Sequence, residues 1–172
     1  MNKVFEKIIH NRLVTFISEN NFLTQFQYGF RKGHNTSHGI THLNEKIIEQ
    51  LEKKRVCAAL FIDLKSAFDT IDPKILVKKL NNLGVRGKML KVLDSYLQGR
   101  KQFVKNGDVE SLILDVLIGV PQGSVLGPLL FIIYFNDIVK CSKLSAVLFA
   151  DDAVFMAYGK TIKSLKRFII TK

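Results

Sequence analysis

Apolar positions along the chain alternate between helical and strand-like spacing. Val4, Ile8, Leu13 and Ile17 recur loosely at helical intervals, which predicts a helix over residues 3–17, closed by the polar turn Ser18-Glu19-Asn20-Asn21. Gln25 to Asn35, rich in glycine and aromatics, reads as a loop or short hairpin. From about Ser37 a second helix sets Ile40, Leu43, Ile47 and Leu51 on one face. It ends in Lys53-Lys54-Arg55, basic residues that suit the negative end of a helix dipole. Val56 to Leu64 is an almost unbroken apolar run of strand length, which predicts a buried central strand.

Asp72-Pro73 is a helix start, with Asp72 as N-cap and Pro73 at the first helical position; Leu76, Leu80 and Leu83 follow before Gly84. Met89 to Gln98 predicts another helix, stopped by Gly99. Gln102-Phe103-Val104 and Ser111 to Val116 flank Asn106-Gly107, a strong hairpin-turn signal. After Gly119-Val120-Pro121-Gln122-Gly123 a helix runs from near Ser124 to about Val139. Ser145–Ala150 and Ala153–Ala157 are apolar strands separated only by Asp151-Asp152, so they predict a hairpin tipped by the acidic pair. A last helix begins near Thr161 and is cut by Lys172. The order predicts an α+β fold with a mainly antiparallel sheet packed on helices.

At 172 residues and 47% apolar, the chain can bury a real core, which sets disorder aside. Its net charge of +11 makes an anionic partner such as nucleic acid or acidic lipid plausible. The excess is diffuse: residues 1–55 hold 9 basic and 5 acidic side chains, the rest 17 and 10, so neither end is a basic tail. Cys57 and Cys141 lie far apart without CxxC spacing and read as reduced core thiols. The most apolar stretch, Val125 to Ile138, is interrupted by Gly127, Pro128, Asn136 and Asp137 and is shorter than the roughly 20 residues a span requires. With no basic-then-apolar leader at the start, the expectation is an intracellular protein, neither secreted nor membrane-spanning.

Three carboxylates stand where carboxylates are costly. Asp63 ends the run Ala59-Leu60-Phe61-Ile62, and Asp151 with Asp152 sits between Leu148-Phe149-Ala150 and Ala153-Val154-Phe155. An ionised carboxylate among apolar strand residues must be paired, neutralised or bound to a cation, and adjacent aspartates repel. Mg²⁺ answers both needs, because it takes oxygen ligands and works with one or two carboxylates plus substrate phosphates. The bland alternative is a solvated hairpin tip and a salt-bridged edge residue. His34, His38 and His42 are spaced by four like metal ligands, but Gly33 and Asn35 put His34 ahead of the helix and no cysteine is near, so zinc is the weaker reading. Lys78-Lys79 and Arg100-Lys101 read as a solvated face rather than a phosphate grip.

Together, Phe61-Ile62-Asp63-Leu64-Lys65-Ser66-Ala67-Phe68-Asp69, Gly119-Val120-Pro121-Gln122-Gly123-Ser124-Val125-Leu126-Gly127-Pro128 and Phe149-Ala150-Asp151-Asp152 resemble three successive palm motifs of reverse transcriptases, and Gln27-Tyr28-Gly29-Phe30-Arg31 resembles the fingers motif that precedes them. The wording is most similar to non-LTR (LINE-like) retrotransposons. The resemblance implies a right-hand polymerase palm over residues 56–172, with partial fingers over 1–55 and the thumb and last part of the palm absent. It implies RNA-directed DNA synthesis with two Mg²⁺ ions, or Mn²⁺ in their place, on an RNA template and DNA primer with dNTP. Asp63 and Asp151 would be the main metal ligands and Asp152 an assisting one. Phe68 would be the steric gate against ribonucleotides, Gln122 and Gly123 the turn beside template base and nucleotide, and Arg31 a triphosphate contact. The alternatives are core packing for Phe68, loop capping for Gln122 and an ion pair for Arg31. Asp69 and Asp72 read as structural. For the whole chain, the rival is an inactive nucleic-acid-binding remnant; an RNA-dependent RNA polymerase is weaker, since it needs room where Phe68 would block.

Overall fold

The computed structural model describes residues 3–170, with the side chains of 168–170 left aside. Lys172, at which the last helix was expected to be cut, lies outside the described residues. The chain divides into two compact units, each drawing on two stretches: Met1–Phe22 with Ser66–Tyr134, and Leu23–Lys65 with Phe135–Lys172. Both units draw on sequence from either side of Arg55.

The first unit is mostly helical. Its helices are α1 (Lys3–Glu19), α3 (Pro73–Asn82), α4 (Gly87–Leu97) and α5 (Gly127–Phe135), where α2 and the strands β1, β6 and β7 belong to the other unit. Asp72 caps α3 as expected, its Oδ1 accepting from the backbone N–H of Lys74 at 2.7 Å and of Ile75 at 3.3 Å. Gly84 and Gly99 follow α3 and α4 at positive φ, where a left-handed residue ends a helix without a Cβ clash. α3 packs on α4, burying Leu76, Leu80, Leu93 and Leu97. Helix α5 is apolar on all sides, and six of its nine residues are buried, as an interior helix requires.

The α1 stripe differs from the expected one. Leu13 and Ile17 are buried, but Val4 and Ile8 are exposed, and Ile9 and Glu6 take their places. Stepping back from Leu13 by four and then three residues leads to Ile9 and Glu6, so the true stripe carries a glutamate that hid it. Glu6 is buried because its carboxylate accepts from the N–H groups of Val125 (2.8 Å) and Leu126 (3.4 Å), just ahead of α5. Those donors and the positive end of the helix dipole stabilise a charge that would otherwise be costly to bury.

Between α4 and α5, β2 (Arg100–Gln102) pairs with β5 (Leu114–Val116), and β3 (Lys105–Asn106) with β4 (Val109–Glu110). The expected hairpin is present, its turn one residue later, at Gly107-Asp108. Arg100 and Lys79 are not solvated side chains. Arg100 donates to the carbonyls of Leu97 (3.1 Å), Ile118 (2.9 Å) and Gly119, and Lys79 donates to the Tyr134 carbonyl and sits 4.9 Å from the centre of the Tyr134 ring.

The second unit is a three-stranded antiparallel sheet in the order β1 (Val56–Asp63), β7 (Asp152–Gly159), β6 (Ser145–Phe149), with α2 (Thr36–Glu52) and α6 (Ile162–Ile170) packed on it. Asn35 caps α2, accepting from His38 N–H at 2.9 Å, so His34 does precede the helix. The buried positions of α2 are Gly39 and Gln50, Leu43 and Ile47 are half-buried, and Ile40 and Leu51 are exposed, so its inner face is turned from the expected one. Gly39 lies against the Tyr28 ring, 3.6 Å from where a Cβ would sit. Leu43 and Ile47 cover one sheet face at Val147 and Met156. The opposite face packs Leu148, Ala153 and Phe155 against Phe135, Ile138 and Val139.

Two expectations fail here. Strand β1 is not central: among the described residues it pairs only with β7, and Phe61 is 70% and Leu60 57% exposed. An apolar run signals two covered faces only when helices reach its whole length. Cys141 is not a core thiol but exposed, directly after the 3-10 turn Asn136–Lys140, and Cys57 is half-buried on β1; both are free. No described helix is long and apolar enough to cross a membrane.

Replacing Glu6 with Ala should lower stability by about 1.5–3 kcal/mol, the usual worth of hydrogen bonds to a charged group, whereas Glu6→Gln, which keeps an acceptor, should lose less. Thermal denaturation of the two variants tests this; equal losses would show that packing, not the two accepted hydrogen bonds, holds Glu6 in place.

Candidate active site

The acidic residues of the second unit are gathered by strand register. β1 pairs with β7 so that Asp63 is the direct partner of Asp152, and β6 pairs with β7 so that Phe149 is the partner of the same Asp152. Directly opposed residues in an antiparallel pair share a face, with Cα atoms about 4.5–5.5 Å apart. Asp63 and Asp152 therefore project from the same side of the sheet at its end. The tight turn between β6 and β7 is Ala150-Asp151, so Asp151 occupies the turn while Asp152 already belongs to the strand. Asp151 is half-buried and the other two are exposed.

Among the described residues no hydrogen bond or ion pair engages the carboxylates of Asp63, Asp151 or Asp152. An apolar cavity of about 450 Å³ lies between α2 and the sheet, lined by Ile40, Leu43, Phe61 and Val154 among others, and among the described residues Asp63 and Asp152 are the charged ones that line it. Like charges facing each other beside an apolar wall favour a cation. The donors are not a finished cage, because no group of three or more His, Cys, Asp or Glu among the described residues is close enough to hold a metal. That still suits Mg²⁺, which is commonly held by one or two carboxylates and completed by water and substrate phosphates. The three histidines form no such group either: His42 Nδ1 lies 2.6 Å from the Tyr28 hydroxyl and His34 rests edge-on to His38.

The turn is held from below by a segment that sequence reasoning had treated as a separate motif. Residues 26–28 run alongside β6 as a short parallel stub: Tyr28 N–H donates to Leu148 O and Leu148 N–H to Phe26 O, both at 2.8 Å. Gln27 is 2% exposed. Its Oε1 accepts from the N–H of Ala150 (3.1 Å) and of Gly29 (2.8 Å), and its Nε2 donates to the Ala150 carbonyl at 3.3 Å. Ala150 itself is left-handed, at φ +55°, a conformation costing roughly 1–2 kcal/mol outside glycine. Gly29 touches the same residue so closely that a Cβ there would lie 2.1 Å from Ala150 N. Two sequence signals could have found Gln27: a glutamine flanked directly by the aromatics Phe26 and Tyr28, and its spacing of two from Gly29.

Arg31 braces this loop. Its Nη1 donates to the carbonyls of Thr24 (2.7 Å) and Gln27 (3.2 Å), and burial lowers its pKa from the ordinary arginine value. Burial, then the charge of Glu45, raises that of Tyr28. An ion pair, the bland expectation for Arg31, is not what engages it.

The remaining expected residues lie in the first unit. Phe68 is half-buried with its ring 4.9 Å from that of Phe131. Gln122 donates through Nε2 to both oxygens of Asp69 at 2.9 Å, so Asp69 has the structural role expected of it. The loop before Gln122 is stitched to the 66–71 turn by Gly119 N–H to Ile71 O (2.7 Å) and Val120 N–H to Phe68 O (2.9 Å). Gly119 must be glycine, since a Cβ would lie 2.9 Å from the Cα of Asp69 and its φ is +85°. Gly123, at φ +71°, has open space where a Cβ would be, which leaves its backbone approachable.

Comparison with known proteins follows the motifs. The family model described as reverse transcriptase (RNA-dependent DNA polymerase) matches residues 1–170. A probable RNA-directed DNA polymerase from transposon BS of Drosophila melanogaster is 36% identical over 80% of the chain, and one from transposon X-element of the same species is 34% identical over 88%. The chain spans only 15% and 17% of their lengths. Among solved structures, a telomerase from Candida albicans, in complex with a fragment of telomeric RNA, superposes with a TM-score of 0.66 at 13% identity, over 95% of this chain and 32% of that one. Apo telomerase from Candida tropicalis gives 0.65 at 13%, over 99% and 34%. At such identities the likeness speaks for the fold.

Gly29→Ala should destabilise the chain by about 1–3 kcal/mol through overpacking against Ala150 and move the amide resonances of Ala150 and Asp151. Denaturant unfolding and a ¹⁵N spectrum check this; a variant with unchanged stability and spectrum would contradict the close approach.

Proposed function

The chain belongs to the reverse transcriptase (RNA-dependent DNA polymerase) family, and on that premise we propose that it contributes the carboxylate centre of an RNA-directed DNA polymerase from a non-LTR retrotransposon. The observation that carries this reading is the pairing of Asp63 with Asp152, next to Asp151, with no partner among the described residues neutralising any of the three. Residues 56–172 act as a right-hand palm and residues 1–55 as partial fingers. The partners are an RNA template, a DNA primer and dNTP; the relatives' printed names, and the RNA in the telomerase complex, support that choice.

Asp63, Asp151 and Asp152, with the substrate phosphates, would hold two Mg²⁺ ions, or Mn²⁺, which when bound would supply charge neutralisation for phosphoryl transfer. The chain's own part is to hold those carboxylates in register. In the reaction the primer 3′-OH forms a bond to the α-phosphorus, the bond to pyrophosphate breaks, and the hydroxyl proton passes to solvent. Phe68, half-buried with its ring 4.9 Å from that of Phe131, acts as the gate against a ribose 2′-OH. Gln122, oriented by Asp69, and the approachable Gly123 form the turn beside template base and nucleotide. Arg31 contacts the triphosphate with whatever donors the loop carbonyls leave open, a task for which a forked cation suits.

The test is single-nucleotide primer extension by a protein in which this chain continues into the thumb of one of its retrotransposon relatives. Asp63→Asn or Asp151→Asn should lower turnover by about 10²-fold or more while primer-template affinity stays within a few-fold. Near-normal extension by either variant in Mg²⁺ would sink the assignment, and tight binding without extension by the parent would favour an inactive nucleic-acid-binding remnant. In the same protein Phe68→Val should raise kcat/KM for a ribonucleotide relative to its deoxy counterpart by about tenfold, or about 1.4 kcal/mol of lost discrimination. An unchanged ratio with a lowered Tm would make Phe68 a packing residue for Phe131.

A further inference from the structure

We infer that Gln27 is a positioning residue for the acidic turn: its buried amide holds Ala150 in the left-handed conformation that presents Asp151 beside the Asp63–Asp152 pair, and so sets the affinity of this centre for divalent cations. This rests on the reading of the three aspartates as metal ligands.

The geometry of one amide group carries the argument. A hairpin turn of two residues leaves the N–H and C=O of its first residue without ladder partners, and unsatisfied buried backbone groups cost free energy comparable to a lost hydrogen bond. Gln27 meets both groups of Ala150 at once, accepting at 3.1 Å and donating at 3.3 Å, and a third contact from Gly29 N–H at 2.8 Å fixes the orientation of its amide. A side-chain amide carries an uncharged acceptor and an uncharged donor on one carbon, which is what the N–H and C=O of Ala150 require. A glutamate would lose the bond to the Ala150 carbonyl and bring a like charge towards the aspartates. Ala150 is not glycine, so its positive φ persists only because the surroundings over-determine it. Those surroundings are Gln27, Gly29 in contact with the Ala150 backbone, and the Leu148 ladder to residues 26 and 28. Arg31, donating to the Gln27 carbonyl, anchors the clamp from its far side. Without the clamp Ala150 relaxes towards ordinary φ, the peptide joining it to Asp151 rotates, and Asp151 leaves the partners that register provides.

The experiment uses the chain as it stands, without nucleic acid, and reads Mn²⁺ affinity by electron paramagnetic resonance and amide hydrogen exchange by NMR. Gln27→Met, close to isosteric but unable to make the three bonds, should weaken Mn²⁺ binding about tenfold. It should also speed exchange at Ala150 and Gly29 by about tenfold, while the sheet amides of Val147 and Phe155 change less than threefold. Unchanged Mn²⁺ affinity, whatever the exchange rates, overturns the positioning role, and so does unchanged exchange at Ala150. Asp63→Asn and Asp152→Asn, measured in parallel, should each weaken Mn²⁺ binding while leaving exchange at Ala150 slow. If both keep wild-type affinity, the metal-ligand reading fails and takes the positioning role with it. Should Gln27→Met fail to fold, the wild-type chain decides: Mg²⁺ should slow exchange at Ala150 and Gly29, because the clamped turn is the form that binds, and no change in either amide overturns the inference.

Discussion

Two aspartates face each other across a pair of strands, and that juxtaposition is the constraint on which the second unit depends. Side chains on a strand alternate, so slipping β1 against β7 by one residue would send Asp63 to the opposite face from Asp152. Register is pinned by the side of the sheet on which Ile62 of β1 packs with Ala153 and Phe155 of β7 and Leu148 of β6, since a slip would turn Ile62 out of that apolar set. Burial on one face thus fixes charge on the other. The close approach of the two carboxylates is maintained by the same hydrophobic packing, and a bound cation would relieve the repulsion between them.

Residues 26–29 brace the turn between β6 and β7. They complete the edge of β6 and fill the hollow under its turn, with an amide to satisfy Ala150 and a glycine because no Cβ fits. In the other unit the same economy recurs: Glu6 satisfies the donors ahead of α5, and Asp69 fixes Gln122. Gln27 and Glu6 are buried polar side chains that take up backbone groups secondary structure leaves over, which is why these two positions are polar within apolar surroundings, whereas the Asp69–Gln122 bond lies at the surface.

Much of this was legible in the chain because it depends on local chemistry. The Asp72-Pro73 start, the Asn35 boundary ahead of α2, the paired aspartates at a tight turn and the α+β order all follow from capping and periodicity. What was not legible depends on contacts distant in sequence. The α1 stripe was misread because Glu6 looks like a surface residue until the donors of Val125 and Leu126 are brought to it. Gln27 is 123 residues from the turn it holds. Phe61 reads as core, yet no described strand pairs with the outer edge of β1. Cys141 was placed inside by residue type alone, whereas its position after a 3-10 turn leaves it in solvent.

The central proposal is that Asp63 and Asp152, with Asp151 in the turn beside them, bind a divalent cation. Paramagnetic broadening maps it directly: substoichiometric Mn²⁺ added to the ¹⁵N-labelled chain should erase the amide signals of residues 62–64 and 150–153 first, with those of Asp72, Asp94 and Asp115 persisting. Broadening spread evenly over all the aspartates, or centred away from the end of the β1–β7 pair, would contradict it.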